Sequence, residues 1–167
     1  YACVRTDIRG TGDSEGLLFD EYSEQELKDA ISVIDWISSQ SWCSGNVGMM
    51  GISWGGFNSL QVASRKPKQL KAVITLCSSV DRYADDIHYK GGCLLGKNFS
   101  WAANMISYSS RPLDPIVAGK NWRSRWLERL ENLPLFIDKW LTEQSRAAYW
   151  KHGSICEEYK SVEAAVL

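Results

Sequence analysis

The chain has 167 residues, 44% hydrophobic and 23% charged, which is ordinary for a soluble globular protein and enough to bury one good core. Its formal net charge of −1 gives no electrostatic case for nucleic acid or an anionic membrane as partner, and no apolar run approaches the ~20 residues that span a bilayer. Five cysteines, Cys3, Cys43, Cys77, Cys93 and Cys156, show no C-x-x-C spacing and read as buried reduced thiols rather than a zinc site or a disulfide set, a usage that points to the cytoplasm.

Tyr1 to Asp7 reads as a short buried strand, followed by a glycine-punctuated loop, Arg9-Gly10-Thr11-Gly12-Asp13-Ser14-Glu15-Gly16. Ser23-Glu24-Gln25-Glu26 is a capping box, and Leu27, Ala30, Ile31, Ile34 and Ile37 recur at helical spacing, so a helix with one buried face runs to about Ser39. A turn at Cys43 to Asn46 leads to a second strand, Val47 to Gly51, then to a helix over Trp54 to Arg65. Pro67 separates that helix from a third strand, Lys71 to Leu76. Strand, helix, strand, helix, strand implies parallel strands with right-handed crossovers, an α/β fold.

Past residue 80 aromatics, Arg and Glu dominate, and five of the eight tryptophans lie beyond residue 100. Trp122, Trp126, Leu127 and Leu130 recur at helical spacing, so residues 81 to 160 read as a mostly helical insertion. Ala164-Ala165-Val166-Leu167 reads as the opening of another strand. Neither end carries a polar tail, and the chain reads as an internal piece of a longer protein.

Gly51-Ile52-Ser53-Trp54-Gly55 is the stretch that carries chemistry. A chain this long shows G-x-S-x-G by chance about once in twenty. Here an apolar strand leads in and a helix leads out, so Ser53 must sit on a sharp turn that only small flanking residues permit. Such a turn holds the hydroxyl out at the end of a sheet, against a helix N-terminus. The backbone N–H of Trp54, next after the nucleophile, is then one oxyanion donor.

Ser53 also needs a base and an acid to orient it. Only His88 and His152 are present. His152 follows Ser53, with Asp81, Asp85, Asp86, Asp114 and Asp138 between, but it sits inside the helical insertion rather than after a later strand, and reads as a structural histidine. His88, in Asp85-Asp86-Ile87-His88-Tyr89, invites metal ligation, yet two adjacent aspartates cannot share one helical face with it equally well. The loop after Asp7 lacks G-x-G-x-x-G and a Gly-Lys-Ser/Thr ending, so it reads as a tight turn and not a phosphate cradle. Trp122-Arg123-Ser124-Arg125-Trp126 is followed at once by Glu128 and Glu131, and reads as a helix packing its Trp face rather than a base-stacking platform.

Asp7-Ile8-Arg9-Gly10-Thr11-Gly12-Asp13-Ser14-Glu15-Gly16 together with Gly51-Ile52-Ser53-Trp54-Gly55-Gly56 resembles the cocaine esterase/X-prolyl dipeptidyl-peptidase group of α/β-hydrolases, the CocE/NonD hydrolases. Asp81-Arg82-Tyr83, Asp85 to Gly92, Leu130-Glu131-Asn132-Leu133-Pro134 and Tyr149 to Ser154 resemble the cap domain of one branch of that group. The resemblance implies a partial α/β-hydrolase core at 1–80, a helical cap insertion at 81–160 and the start of the next core strand at 161–167. It implies Ser53 as nucleophile, the Trp54 N–H as oxyanion donor, a triad Asp and His beyond Leu167, and a second oxyanion donor before Tyr1. The expected reaction is cleavage of a small ester or peptide substrate through an acyl-serine, with no metal or organic cofactor. The alternative is a non-catalytic binding protein that keeps the scaffold.

Overall fold

The computed structural model describes every residue from Tyr1 to Leu167. The chain forms two compact units, one of Tyr1–Glu21 with Gly96–Thr142, the other of Tyr22–Leu95 with Glu143–Leu167. The central part of the expected insertion, 96–142, thus lies in the first unit, and its flanks lie in the second.

The second unit holds the sheet. Its elements are α1 (Glu24–Ser39), β1 (Val47–Ile52), α2 (Trp54–Ala63), β2 (Leu70–Leu76), a hairpin of β3 (Tyr89–Lys90) and β4 (Cys93–Leu94), and β5 (Ala165–Val166). β1 and β5 flank β2, all parallel, with Met50 beside Ile74, Ile52 beside Leu76 and Val73 beside Val166. Everything from Cys77 to Ala164 is therefore inserted between two neighbouring parallel strands.

Ser23 caps α1 through a bond from the Glu26 N–H at 3.2 Å, and the Glu26 carboxylate accepts from Asn58 of α2 at 2.6 Å. Leu27 and Ile34 of α1, Leu60 and Val62 of α2, and Val47, Leu70 and Val73 of the strands make one apolar core. Both helices thus cover the same face of the sheet. The opposite face carries Met50, Ile52, Ile74 and Leu76, which are exposed.

The expected opening strand does not form. Tyr1–Asp7 are exposed and belong to no ladder. A strand exists only through a neighbour's N–H and C=O groups, and the sheet takes no fourth member. α2 also ends earlier than expected, at Ala63. Lys66 turns into the left-handed region (φ 56°) just before Pro67. The β3–β4 hairpin was not foreseen, although Gly91-Gly92, with φ of 56° and 80°, is the two-residue turn such a hairpin requires.

In the first unit, α3 (Lys97–Ser109), α4 (Pro115–Ala118), α5 (Trp122–Glu131) and α6 (Phe136–Thr142) follow one another. The stacked pair Trp122–Trp126 holds as the spacing predicts, at 6.2 Å between ring centres. Leu127 and Leu130 are exposed, however, and the buried residue of α5 is Arg129. Its guanidinium donates to the carbonyls of Gly12 (2.8 Å) and Ser14. The loop it grips is closed on itself: Gly10 N–H donates to Glu15, Asp13 N–H to the Asp7 carboxylate, and Ser14 Oγ to the Asp7 carbonyl. The second unit is completed by the short helix α7 (Ala148–Lys151). No helix is long and apolar enough to cross a membrane.

All five cysteines are free, but Cys3, Cys77 and Cys93 are exposed and the other two half-buried, so the expectation of buried thiols is corrected. Cys3 and Cys77 lie outside the helices and strands, and Cys93 lies in β4.

Candidate active site

β1 delivers the chain to Ser53 and α2 takes it away, with no residue to spare between them. Ser53 therefore adopts φ 53°, ψ −119°, a conformation that L residues rarely hold. The turn is tight enough to bring β1 onto its own helix. A Cβ on Gly51 would lie 2.3 Å from the Gly55 carbonyl carbon, whereas one on Gly55 would meet nothing within 4 Å. Glycine is demanded at the first position by contact, and at the second only by the motif.

The elbow is fastened to the neighbouring strand. Ser53 N–H donates to Leu76 O at 2.8 Å, and Thr75 Oγ1 donates to Gly56 O at 3.0 Å and shares a short hydrogen bond with Ser78 Oγ. Gly56 allows this, since a Cβ there would sit 2.9 Å from Leu76 O and 3.0 Å from Thr75 Oγ1. The segment leaving β2 thus begins beside the elbow, with Cys77 in the left-handed region (φ 51°).

The Ser53 residue is exposed and its side chain makes no capping bond to α2. Trp54 is the first residue of α2, so its N–H has no acceptor within the helix and lies at the positive end of the helix dipole. The Trp54 indole packs edge-on against Tyr22, 6.1 Å between ring centres, and Tyr22 packs on Phe57 at 5.2 Å.

No hydrogen bond joins Ser53 to either histidine. His152 Nε2 lies 2.7 Å from the Tyr22 carbonyl oxygen, which fixes that nitrogen as a donor. His88 is fully buried, its ring 5.4 Å from Trp150. Asp85 pairs with Lys90 at 3.0 Å.

Asp81, just downstream of the elbow-facing segment, carries a strongly perturbed carboxyl. Burial works against its charge. Hydrogen bonds from the Ala84 and Tyr83 N–H groups, from Arg146 and from the Cys156 thiol outweigh it and hold the carboxyl at about 2. Burial, then the Asp81 carboxylate, pushes the Cys156 thiol up. Arg146 also pairs with Glu157 at 2.5 Å, so this group is an ion-pair clamp holding the 81–84 turn against residues 146–157.

Thr75 and Tyr22 were not legible as site residues. Their roles come from pairings across long stretches of chain, which no local spacing announces.

The X-Pro dipeptidyl-peptidase (S15) family model matches residues 1–167. Cocaine esterase of Rhodococcus sp. is 37% identical over 94 residues, which is 56% of this chain and 16% of that protein. A Mycobacterium tuberculosis protein named as a serine esterase is 34% identical over 92 residues, 55% of this chain and 14% of that protein. The matched stretches are thus about a seventh of the length of these relatives. A crystal structure of a CocE/NonD family hydrolase from Staphylococcus aureus superposes with a TM-score of 0.68 at 24% identity, covering 94% of this chain and 25% of that one. The fold is therefore that of the CocE/NonD hydrolases, and the chain belongs to the X-Pro dipeptidyl-peptidase (S15) family of hydrolases.

Proposed function

We propose that Ser53 is the nucleophile of a serine hydrolase that cleaves an ester or a peptide bond through an acyl-serine. The observation that carries this is the backbone of Ser53: an exposed serine at φ 53°, ψ −119° between a strand and the first turn of a helix. A fold holds a non-glycine residue in such a conformation, at a cost of about 1–3 kcal/mol, where its surroundings over-determine it. Here those surroundings are the end of β1 and the first turn of α2.

In the proposed reaction Ser53 Oγ attacks the carbonyl carbon while a histidine takes its proton. The carbonyl oxygen becomes an oxyanion and is held by the Trp54 N–H. The C–O or C–N bond to the leaving group then breaks as the histidine returns the proton, and water repeats the sequence to release the acid. The base, its orienting acid and the second oxyanion donor are assigned to residues outside these 167, as no hydrogen bond joins Ser53 to His88 or His152. The segment from Cys77 to Asp81 lines the acyl side of the site, because it leaves β2 at the carbonyl that holds the Ser53 N–H. Residues 81–160 are a cap inserted between adjacent core strands, a reading supported by the direct pairing of β2 with β5.

A fluorophosphonate probe on the full-length protein tests the assignment. Labelling of wild type and loss of both labelling and ester turnover in Ser53→Ala is the expected result. Undiminished labelling of Ser53→Ala would sink it, and an unlabelled wild type would favour a scaffold that only binds.

A further inference from the structure

We propose that Arg82 is a positioning residue for the hydrolytic site, one that sets the Trp54 N–H and the acyl-side segment through a ring of contacts. The proposal rests on Ser53 being the nucleophile. Arg82 is 1% exposed, and nothing in the acyl-serine chemistry requires a buried cation at its position. Its Nη1 donates to the carbonyls of His152 (3.0 Å) and Tyr149 (3.3 Å), and its own N–H donates to Ser154 Oγ at 2.9 Å. The guanidinium carbon lies over three rings: Tyr22 at 4.7 Å, Tyr149 at 5.2 Å and Trp150 at 5.3 Å.

These contacts run back to the elbow by two routes. Tyr22 stands between Arg82 and the Trp54 indole, and its carbonyl is fixed by His152 Nε2. Gln61 of α2, 1% exposed, donates to Gly153 O at 3.2 Å. The turn whose carbonyls hold Arg82 is thus tied to the same helix that presents Trp54. Gly153 has no room for a side chain there: a Cβ would lie 2.6 Å from Gln61 Nε2 and 3.2 Å from Arg82 Cδ. Along the chain, Arg82 ends the Cys77–Asp81 segment whose other end is pinned at Leu76 and Ser78. A planar, permanently charged fork suits this place, since it donates to carbonyls in its plane while its faces stack on rings.

The test compares Arg82→Met, Arg82→Lys and Tyr22→Leu with wild type in the full-length protein. It uses the rate and the endpoint of fluorophosphonate labelling, and kcat and KM on one ester. The endpoint counts folded sites, whereas the rate reports how well each folded site is arranged. Expected are endpoints near wild type, a labelling rate and kcat reduced about tenfold to a hundredfold in Arg82→Met and Tyr22→Leu with KM little changed, and partial recovery in Arg82→Lys. A reduced endpoint with a wild-type rate per labelled site would mean a merely structural role and would overturn the proposal. If Arg82→Met does not fold, Arg82→Lys and Tyr22→Leu decide on the same criterion. A wild type that does not label removes the Ser53 reading, and this proposal falls with it. Labelled wild type with unchanged variant rates removes this proposal alone.

Discussion

The two glycines of the elbow are not equivalent. Gly51→Ala would drive a methyl group into the backbone of Gly55, at 2.3 Å from its carbonyl carbon, and neither β1 nor α2 can give way without unseating the other. We expect a loss of about 3 kcal/mol or more in urea unfolding, together with loss of probe labelling. Gly55→Ala meets open space and should change stability by less than about 1 kcal/mol, in either direction. Equal effects of the two substitutions would show that the turn is looser than drawn. The motif points to a nucleophile because strand and helix flank it. The contact that makes Gly51 obligatory lies within the motif, yet the pattern of letters treats both glycines alike.

At the scale of elements, the turn of residues 81–84 depends on a carboxylate. The Asp81 carboxyl titrates at about 2, below the ordinary value of 3.8, so its contribution is complete above the unfolded value and is lost as pH falls through the folded one. Asp81→Asn should lower the urea midpoint at neutral pH and flatten the decline in stability between about pH 4 and pH 2. An unchanged acid slope would show that Asp81 is not the group responsible. None of this was visible in the sequence, because Arg146 and Cys156 reach Asp81 only through the fold. The βαβ order was visible, since apolar period, capping serine and proline all pointed the same way from Ser23 to Leu76. α5 shows where such reading fails. Its spacing announced an apolar face through Leu127 and Leu130, but the two carbonyls of the Gly12–Ser14 loop drew Arg129 inward instead. Tyr1–Asp7 failed for the opposite reason: an apolar β-like run has no structure of its own without a partner strand.

For the whole molecule, the absence of a hydrogen bond from Ser53 to either histidine has a direct consequence for activity. The 167-residue chain by itself should hydrolyse esters no faster than buffer, since a serine without a base forfeits roughly 10²–10⁴ in rate from proton transfer alone. A spectrophotometric ester assay of the purified chain checks this. Turnover that disappears in His152→Ala would place the base within these residues after all. The same preparation should bind hydrophobic dyes, because Met50, Ile52, Ile74 and Leu76 present one contiguous apolar face to water.

The direct pairing of β2 with β5 also dictates an order of events at the ribosome. β1 and β2 are joined by a single short helix and can meet soon after Leu76 emerges. β5 cannot take its place until the whole intervening stretch, Cys77 to Ala164, has been synthesised, and closing so long a loop slows the final step further. Through that interval the β2 edge stands open, with the Thr75 N–H and the Val73 carbonyl waiting for the Leu167 groups that later pair with them. Nascent chains arrested before Ala165 should therefore be captured by chaperones more strongly than chains extended past Leu167.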